Sequence, residues 1–253
     1  MDVRIFRKRL NDVLRFSVFN PVFLELWTLK QALKKARPYF KGVLIDVGCG
    51  EKPFFPVINP CVEKYFGVEV PTTYAEVNRK VQVLTANFIL PFKPCSADTV
   101  LLTQVLEHTY EPVRLCASIR PILKNDAYLI ITVPKSNPVH EEPYDFFRYT
   151  PFSLKKILDD AGFDTVYLRP TSTFGHMLFQ TLLAWLGRKL QFSRSVIIYL
   201  LKSAVIIPVV TIVNCIGFFV GFLMRDERET LDYIVIARKK ESFRSSDAPA
   251  CAE

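Results

Sequence analysis

Val43-Leu44-Ile45-Asp46-Val47-Gly48-Cys49-Gly50 is an apolar run that breaks at two glycines. Val43, Leu44, Ile45 and Val47 read as a short strand buried in a parallel sheet. The glycines let the backbone turn sharply and approach a ligand with no Cβ in the way. A second apolar run, Tyr65-Phe66-Gly67-Val68-Glu69, ends in a carboxylate 19 residues after Gly50. A carboxylate about 20 residues beyond a glycine turn is placed to bind ribose hydroxyls. The two runs together predict a nucleoside-containing cofactor.

What is missing narrows the choice. A dinucleotide fingerprint needs a third glycine for close helix–strand packing, and Pro53 stands at that position. No phosphate-cradling G-x-x-x-x-G-K-[S/T] occurs. Asp46, just before the turn, would repel a pyrophosphate and suits a cationic ligand, which points to the sulfonium and ammonium of S-adenosylmethionine. Asp46-x-Gly48-Cys49-Gly50 resembles the first motif of class I S-adenosylmethionine-dependent methyltransferases. Leu90-Pro91-Phe92, Asp98-Thr99-Val100-Leu101-Leu102 and Val105-Leu106-Glu107-His108 resemble that family's fourth-strand region. Ile119 to Leu123, a charged turn at Lys124-Asn125-Asp126, and Tyr128 to Pro134 resemble its helix, loop, fifth strand and proline. His140-Glu141-Glu142-Pro143-Tyr144-Asp145-Phe146-Phe147-Arg148-Tyr149-Thr150 is similar to a segment of a bacterial, type-11-like subgroup. The resemblance spans roughly residues 25–172 and 231–240. It implies that Asp46, Gly48 and Gly50 contact the methionine part, Glu69 the ribose, Asn87 and Phe88 the adenine, and that Gln104 borders the methionine end. Two positions depart from the family pattern: Lys52, where many members carry a glycine, and Ala86-Asn87, where many carry an aspartate.

Strands expected at 43–47, 65–69, 81–85, 99–103 and 127–133 alternate with helices, which implies a doubly wound, mostly parallel sheet. With Phe163–Leu168 and Tyr233–Ala237 the expectation is a seven-stranded class I methyltransferase-like α/β fold. Pro151 to Ala161 reads as a helix, with proline at its start and Gly162 past its end. The organisation expected is a basic helical segment over 1–41, including a helix from about Phe23 to Tyr39. The methyltransferase-like domain covers 42–172 and 231–240, an apolar helical insertion covers 173–230, and a disordered tail 241–253.

Residues 1–41 hold ten basic and three acidic side chains, a net +7 of the chain's +8. Phe6, Leu10, Val13, Leu14, Phe16, Val18 and Phe19 interleave with the basic cluster, a pattern suited to an anionic membrane surface. Nucleic-acid binding is not expected, because the excess is confined to one end and no recognised signature accompanies it. Ser203 to Met224 is 22 residues without a charge, long enough for a membrane crossing. Strands on both sides of the insertion belong to one sheet, so an in-plane or re-entrant hairpin is expected, with Pro208 and Gly217 breaking the run. Six cysteines show no metal-ligand spacing and read as reduced thiols; no metal is expected.

Methyl transfer from a sulfonium is an in-line displacement that depends on holding two reactants in a dry pocket. For a hydroxyl acceptor a base helps, and His140, after the fifth strand and next to Glu141 and Glu142, is the expected catalytic residue. His108 reads as a cap or a pocket wall and His176 as interfacial. The expected activity is methyl transfer to a small or lipid-linked acceptor by a cytoplasmic protein, peripheral or monotopic at the inner membrane face. A non-catalytic binding or scaffold module of the same fold, and a soluble small-molecule methyltransferase with an apolar substrate lid, are the alternatives. Oligomeric state is not predicted.

Overall fold

The computed structural model of the chain describes residues 13–69, 83–84, 90–191 and 196–240. Its sheet has seven strands: β1 (Val43–Val47), β2 (Lys64–Glu69), β3 (Val83–Leu84), β4 (Ala97–Thr103), β5 (Leu123–Pro134), β6 (Phe163–Pro170) and β7 (Asp232–Lys239), in the order β3-β2-β1-β4-β5-β7-β6. The β1–β2, β1–β4, β2–β3 and β4–β5 pairs are parallel. This is the expected doubly wound arrangement. β1 is central and its Leu44, Ile45 and Val47 are buried, which accounts for its unbroken apolar pattern.

Helices α2 (Pro112–Ile119) and α3 (Pro151–Asp160) lie between strands of the sheet in the sequence, and α1 (Phe23–Lys35) precedes β1. α1 stops four residues short of the expected end, and a 3₁₀ turn follows over Arg37–Tyr39. α3 opens on a reciprocal cap between Thr150 and Ser153, with Pro151 in the first turn. A local expectation also fails in β5. Lys124-Asn125-Asp126 is not a turn before the strand but an exposed part of β5, accommodated by an irregular register in which Ala97 faces Leu123 and Thr99 faces Tyr128. Extra residues on one strand can bulge without ending the ladder.

The chain gathers into two compact units. One comprises Ala32–Lys135, Val139–Arg169 and Tyr233–Glu253, the other Met1–Gln31, Ser136–Pro138 and Pro170–Asp232. The first holds the sheet and its main core, including Ile45, Val100, Leu102, Leu129, Ile131, Leu154, Phe163 and Val235.

The second unit is helical, built on α4 (Phe174–Gln191) and α5 (Val196–Leu223). Phe23, Leu24, Leu183 and Val210 are its buried centre. Cβ atoms on Gly175 and Gly221 would lie 2.9 Å from the Gly221 backbone and 2.2 Å from the His176 ring, and one on Gly217 2.5 Å from Phe179 Cβ. The start of α4 therefore packs on the end of α5, and the glycines permit the approach. α5 is continuous through Pro208 and Gly217, so the expected break does not occur. A proline removes one hydrogen bond and kinks a helix, but packing on a neighbour can hold the helix through it.

Of the cysteines, Cys49, Cys61, Cys116 and Cys215 are free, but Cys95 is disulfide-bonded. The expectation of reduced thiols does not hold at that position.

Candidate active site at the carboxyl end of the sheet

Parallel pairing places the carboxyl ends of β2, β1, β4 and β5 on one edge of the sheet, where open α/β sheets bind ligands. The turn after β1 folds onto the end of β2. The Gly48 and Cys49 amides both donate to Val68 O, at 2.9 and 3.1 Å, and the Gly50 amide donates to Glu69 Oε2 at 2.9 Å. Gly48 and Gly50 have φ of +73° and +46°, which glycine adopts at little cost. They differ in what they clear. A Cβ on Gly48 would lie 2.5 Å from Val105 Cγ2, while one on Gly50 meets nothing within 4 Å. Gly48 thus clears a protein neighbour, whereas Gly50 faces open space.

Asp46 is buried in this turn. Tyr65 Oη donates to its Oδ2, and its Oδ1 is buried with no hydrogen-bond partner. Burial pushes the Asp46 carboxyl up to about 7, against the pull of the Tyr65 hydrogen bond and of the Lys52 charge. Burial and the neighbouring Asp46 push the Tyr65 phenol up as well. Lys52 has φ of +52° and sets its ammonium over the Tyr65 ring, 5.2 Å from the centroid. A Cβ on Gly67 would lie 2.4 Å from Lys52 Cε and 2.7 Å from Cys49 Sγ, so Gly67 makes the slot that both side chains fill. Burial pushes the Cys49 thiol up to about 12, which keeps it neutral and fits a space-filling role.

Tyr65, Gly67 and Glu69 alternate onto one face of β2, and Gly67 pairs in register with Asp46. That periodicity was the available signal for Tyr65, which sequence reasoning passed over. Gln104 sits just past β4 with φ of +55°. Its amide donates to Thr132 O at 3.0 Å, and its Nε2 to Thr132 Oγ1 at 3.4 Å. Asn87 and Phe88 lie outside the described residues.

A second cluster forms beyond β4 and β5. The 3₁₀ turn Leu106–His108 is tied to the segment after β5, because Phe146 N donates to Glu107 O at 2.8 Å and Tyr149 Oη to Leu106 O at 2.8 Å. These bonds bring the His108 and His140 rings edge to face, with centroids 4.8 Å apart. The carboxylate beside His140 is Asp145, not the expected Glu141 or Glu142, which are exposed. Asp145 Oδ2 accepts from His140 N at 3.0 Å and lies 3.4 Å from His140 Nδ1. Arg148 grips both Asp145 oxygens, at 2.6 and 2.7 Å, and holds that carboxyl down at about 2. His108, expected to be structural, stands in the same cluster as His140. Loops after neighbouring parallel strands meet at the same edge, and that was the signal for it. His176 packs against Trp27 and Phe222 inside the helical unit.

A family described as a methyltransferase domain matches residues 23–168. An uncharacterized protein of Methanocaldococcus jannaschii is 32% identical over 139 residues, covering 53% of this chain and 60% of that protein. A probable S-adenosylmethionine-dependent methyltransferase of Mycobacterium tuberculosis is 27% identical over 131 residues, covering 47% of this chain and 48% of its own. The chain thus matches about half to three-fifths of the length of these relatives. A methyltransferase structure from Archaeoglobus fulgidus superposes with a TM-score of 0.54 at 19% identity, covering 92% of this chain and all of its own. The [4+2]-cyclase SpnF gives 0.55 at 18% identity, covering 84% and 80%. At such identities the likeness shows the fold alone, and a cyclase among the neighbours illustrates that this fold does not dictate one reaction.

Proposed function

The chain belongs to the methyltransferase-domain family, and from that premise we propose that it transfers the methyl group of S-adenosylmethionine to an acceptor held at the carboxyl end of the sheet. The observation that carries this reading is the buried Asp46, whose Oδ1 lacks a partner, at the start of a turn in which a Cβ on Gly50 would meet nothing within 4 Å. A cationic ammonium suits that oxygen. Glu69, held by the Gly50 amide, is placed for ribose hydroxyls. Bound S-adenosylmethionine supplies an electrophilic methyl on a good leaving group. The protein's task is then alignment and exclusion of water. For an acceptor hydroxyl, His140 takes the proton, its ring set by Asp145. Calorimetric titration with S-adenosylmethionine tests the site: binding in the wild type, lost in Asp46→Asn, supports it. The rival reading of a non-catalytic module rests on Lys52, whose charge already favours the ionised Asp46, and on Ala86, which lies outside the described residues; absence of binding heat would favour that rival.

The acceptor we propose is lipid-linked and met at the cytosolic membrane surface. Support comes from α5, whose polarity is inverted relative to a helix in water. Its outward stripe is Leu201, Val205, Ile212, Ile216, Phe219 and Leu223, all exposed. Its inward side includes the buried Ser203 and Asn214, and Asn214 Nδ2 donates to Val18 O and Asn20 O at 2.7 and 2.9 Å. Residues 201–223 form a helix long and apolar enough to cross a membrane. However, Arg188, Lys189, Arg194 and Lys202 precede the long apolar run in sequence, and a flank so basic resists translocation. A helix pair lying in the interface, with the stripe toward the acyl chains, reconciles the two.

A further inference from the structure

We infer that Glu107, His108 and His140 form a site for one divalent transition cation of the zinc type, which takes an oxygen of the methyl acceptor. This rests on the methyl-transfer reading and names the class of acceptor: a hydroxyl or phenol. One ligand atom from each of the three residues lies within 4.8 Å of the other two. His108 Nε2 and Glu107 Oε1 are 3.9 Å apart. Ligands on a tetrahedral zinc, at about 2.0–2.2 Å from the metal, stand roughly 3.3–3.6 Å from each other. Closing the separations by no more than about 1.5 Å therefore completes the set.

The surroundings of the ligands are those a metal site requires. His108 Nδ1 faces Tyr144 O at 2.9 Å. A carbonyl only accepts, so Nδ1 carries the proton and Nε2 offers its lone pair on the side of Glu107. His140 has Asp145 beside its Nδ1 at 3.4 Å, and Asp145 is clamped by both Arg148 nitrogens. Carboxylate and carbonyl partners behind ligating imidazoles fix their tautomer and orientation. Glu107 is fully buried, and a dication next to it would lower the cost of burying its charge. Two imidazoles and one carboxylate suit zinc, iron, cobalt or manganese, whereas magnesium and calcium prefer all-oxygen sets. Three protein ligands leave at least one position open, as in catalytic rather than closed structural sites.

That open position accepts the acceptor oxygen. The cation lowers the pKa of the hydroxyl, and its proton passes to solvent. The oxygen then forms its bond to the methyl carbon as the carbon–sulfur bond breaks, giving a methyl ether and S-adenosylhomocysteine. In the cation-loaded enzyme His140 acts as a ligand, and in the cation-free enzyme it remains the base.

The test is titration of the metal-free full-length chain with Co²⁺ followed by its visible absorption, and with Zn²⁺ in competition with a chromogenic chelator. One equivalent should bind. His140→Ala and His108→Ala should each weaken binding at least tenfold, while Glu142→Ala, an exposed neighbour, should not. Circular dichroism of each variant identifies any that fails to fold, and the half-exposed His140 makes its variant the one to rely on. Absence of stoichiometric binding, or binding indifferent to His140→Ala, overturns the cation site. If S-adenosylmethionine still binds and methyl transfer still depends on His140, the functional reading stands without the cation. Cation binding by a chain that never binds S-adenosylmethionine removes the functional reading and the acceptor role, and leaves a metal site.

Discussion

Asp46 lies just before the glycine turn, and burial raises its carboxyl to about 7. A folded-state value above the ordinary 3.8 means that the folded chain holds a proton the unfolded chain has already released between those two values. The associated stability is fully present below about pH 4 and is lost as pH rises through about 7, at about 1.4 kcal/mol per unit. A cationic ligand needs the ionised form, so its affinity moves the other way. S-adenosylmethionine should bind about tenfold more weakly for each pH unit below 7, measured by calorimetry between pH 5 and 8. Tyr65→Phe, which removes a hydrogen bond that lowers the Asp46 value, should shift that dependence to higher pH and weaken binding at neutral pH about tenfold or more. A flat pH profile would separate Asp46 from the cation. At Gly48 the strain has two parts. Gly48→Ala should lower both stability and cofactor affinity, and adding Val105→Ala should recover only the steric part, because φ of +73° still costs a non-glycine residue about 1–2 kcal/mol. Asp46, Gly48, Gly50 and Glu69 were legible as a set because chain order and strand ends fix them. Tyr65 and Lys52 were not, because their place depends on strand register and on the slot at Gly67.

The segment between β5 and α3 works as one element. Tyr149 N on Pro134 O, Phe146 N on Glu107 O and Tyr149 Oη on Leu106 O fasten it to the strand ends, and the Asp145–Arg148 pair stiffens its middle. His140 is therefore presented by a braced loop. His140→Ala should reduce kcat about 10²–10⁴-fold and leave S-adenosylmethionine affinity nearly unchanged, read by single-turnover methyl transfer beside calorimetry; full activity would return His140 to a solvent-exposed role. The sequence order placed this loop after the fifth strand but misassigned the acidic neighbour of His140. Adjacency in sequence favoured Glu141 and Glu142, whereas the loop folds back so that Asp145 lies against the ring. α5 shows the reverse error. Pro208 and Gly217 read as helix breakers by local propensity, yet close packing at Gly217 against Phe179 and Leu24 holds the helix straight through, because tertiary contacts outweigh propensities of about 1–3 kcal/mol.

Between β6 and β7 the chain leaves the sheet and returns to it, and the two strands are neighbours. Both ends of the α4–α5 segment are therefore on the same side of any membrane, and the number of full crossings is even. Among the described residues α5 alone is long and apolar enough for one crossing, and α4, carrying Arg188 and Lys189, does not supply a second. Under the proposed membrane-surface reading, strand order, charge and length favour a helix pair seated in one leaflet, with the basic charge of the first 41 residues adding attraction to anionic headgroups. Fully burying Val205, Ile212 and Phe219 contributes about 1.5–3 kcal/mol each, so a few charges on the stripe should release the protein. The wild type should sediment with membranes and be recovered by detergent. Val205→Glu combined with Phe219→Glu should move it to the soluble fraction with S-adenosylmethionine binding intact, since neither residue belongs to the unit that holds Asp46 and Glu69. Tags placed before Met1 and after Glu253 should both be reachable from the cytosolic side. A tag on the opposite side, or a wild-type protein fully soluble after lysis without detergent, would leave the exposed stripe to be covered by protein rather than lipid.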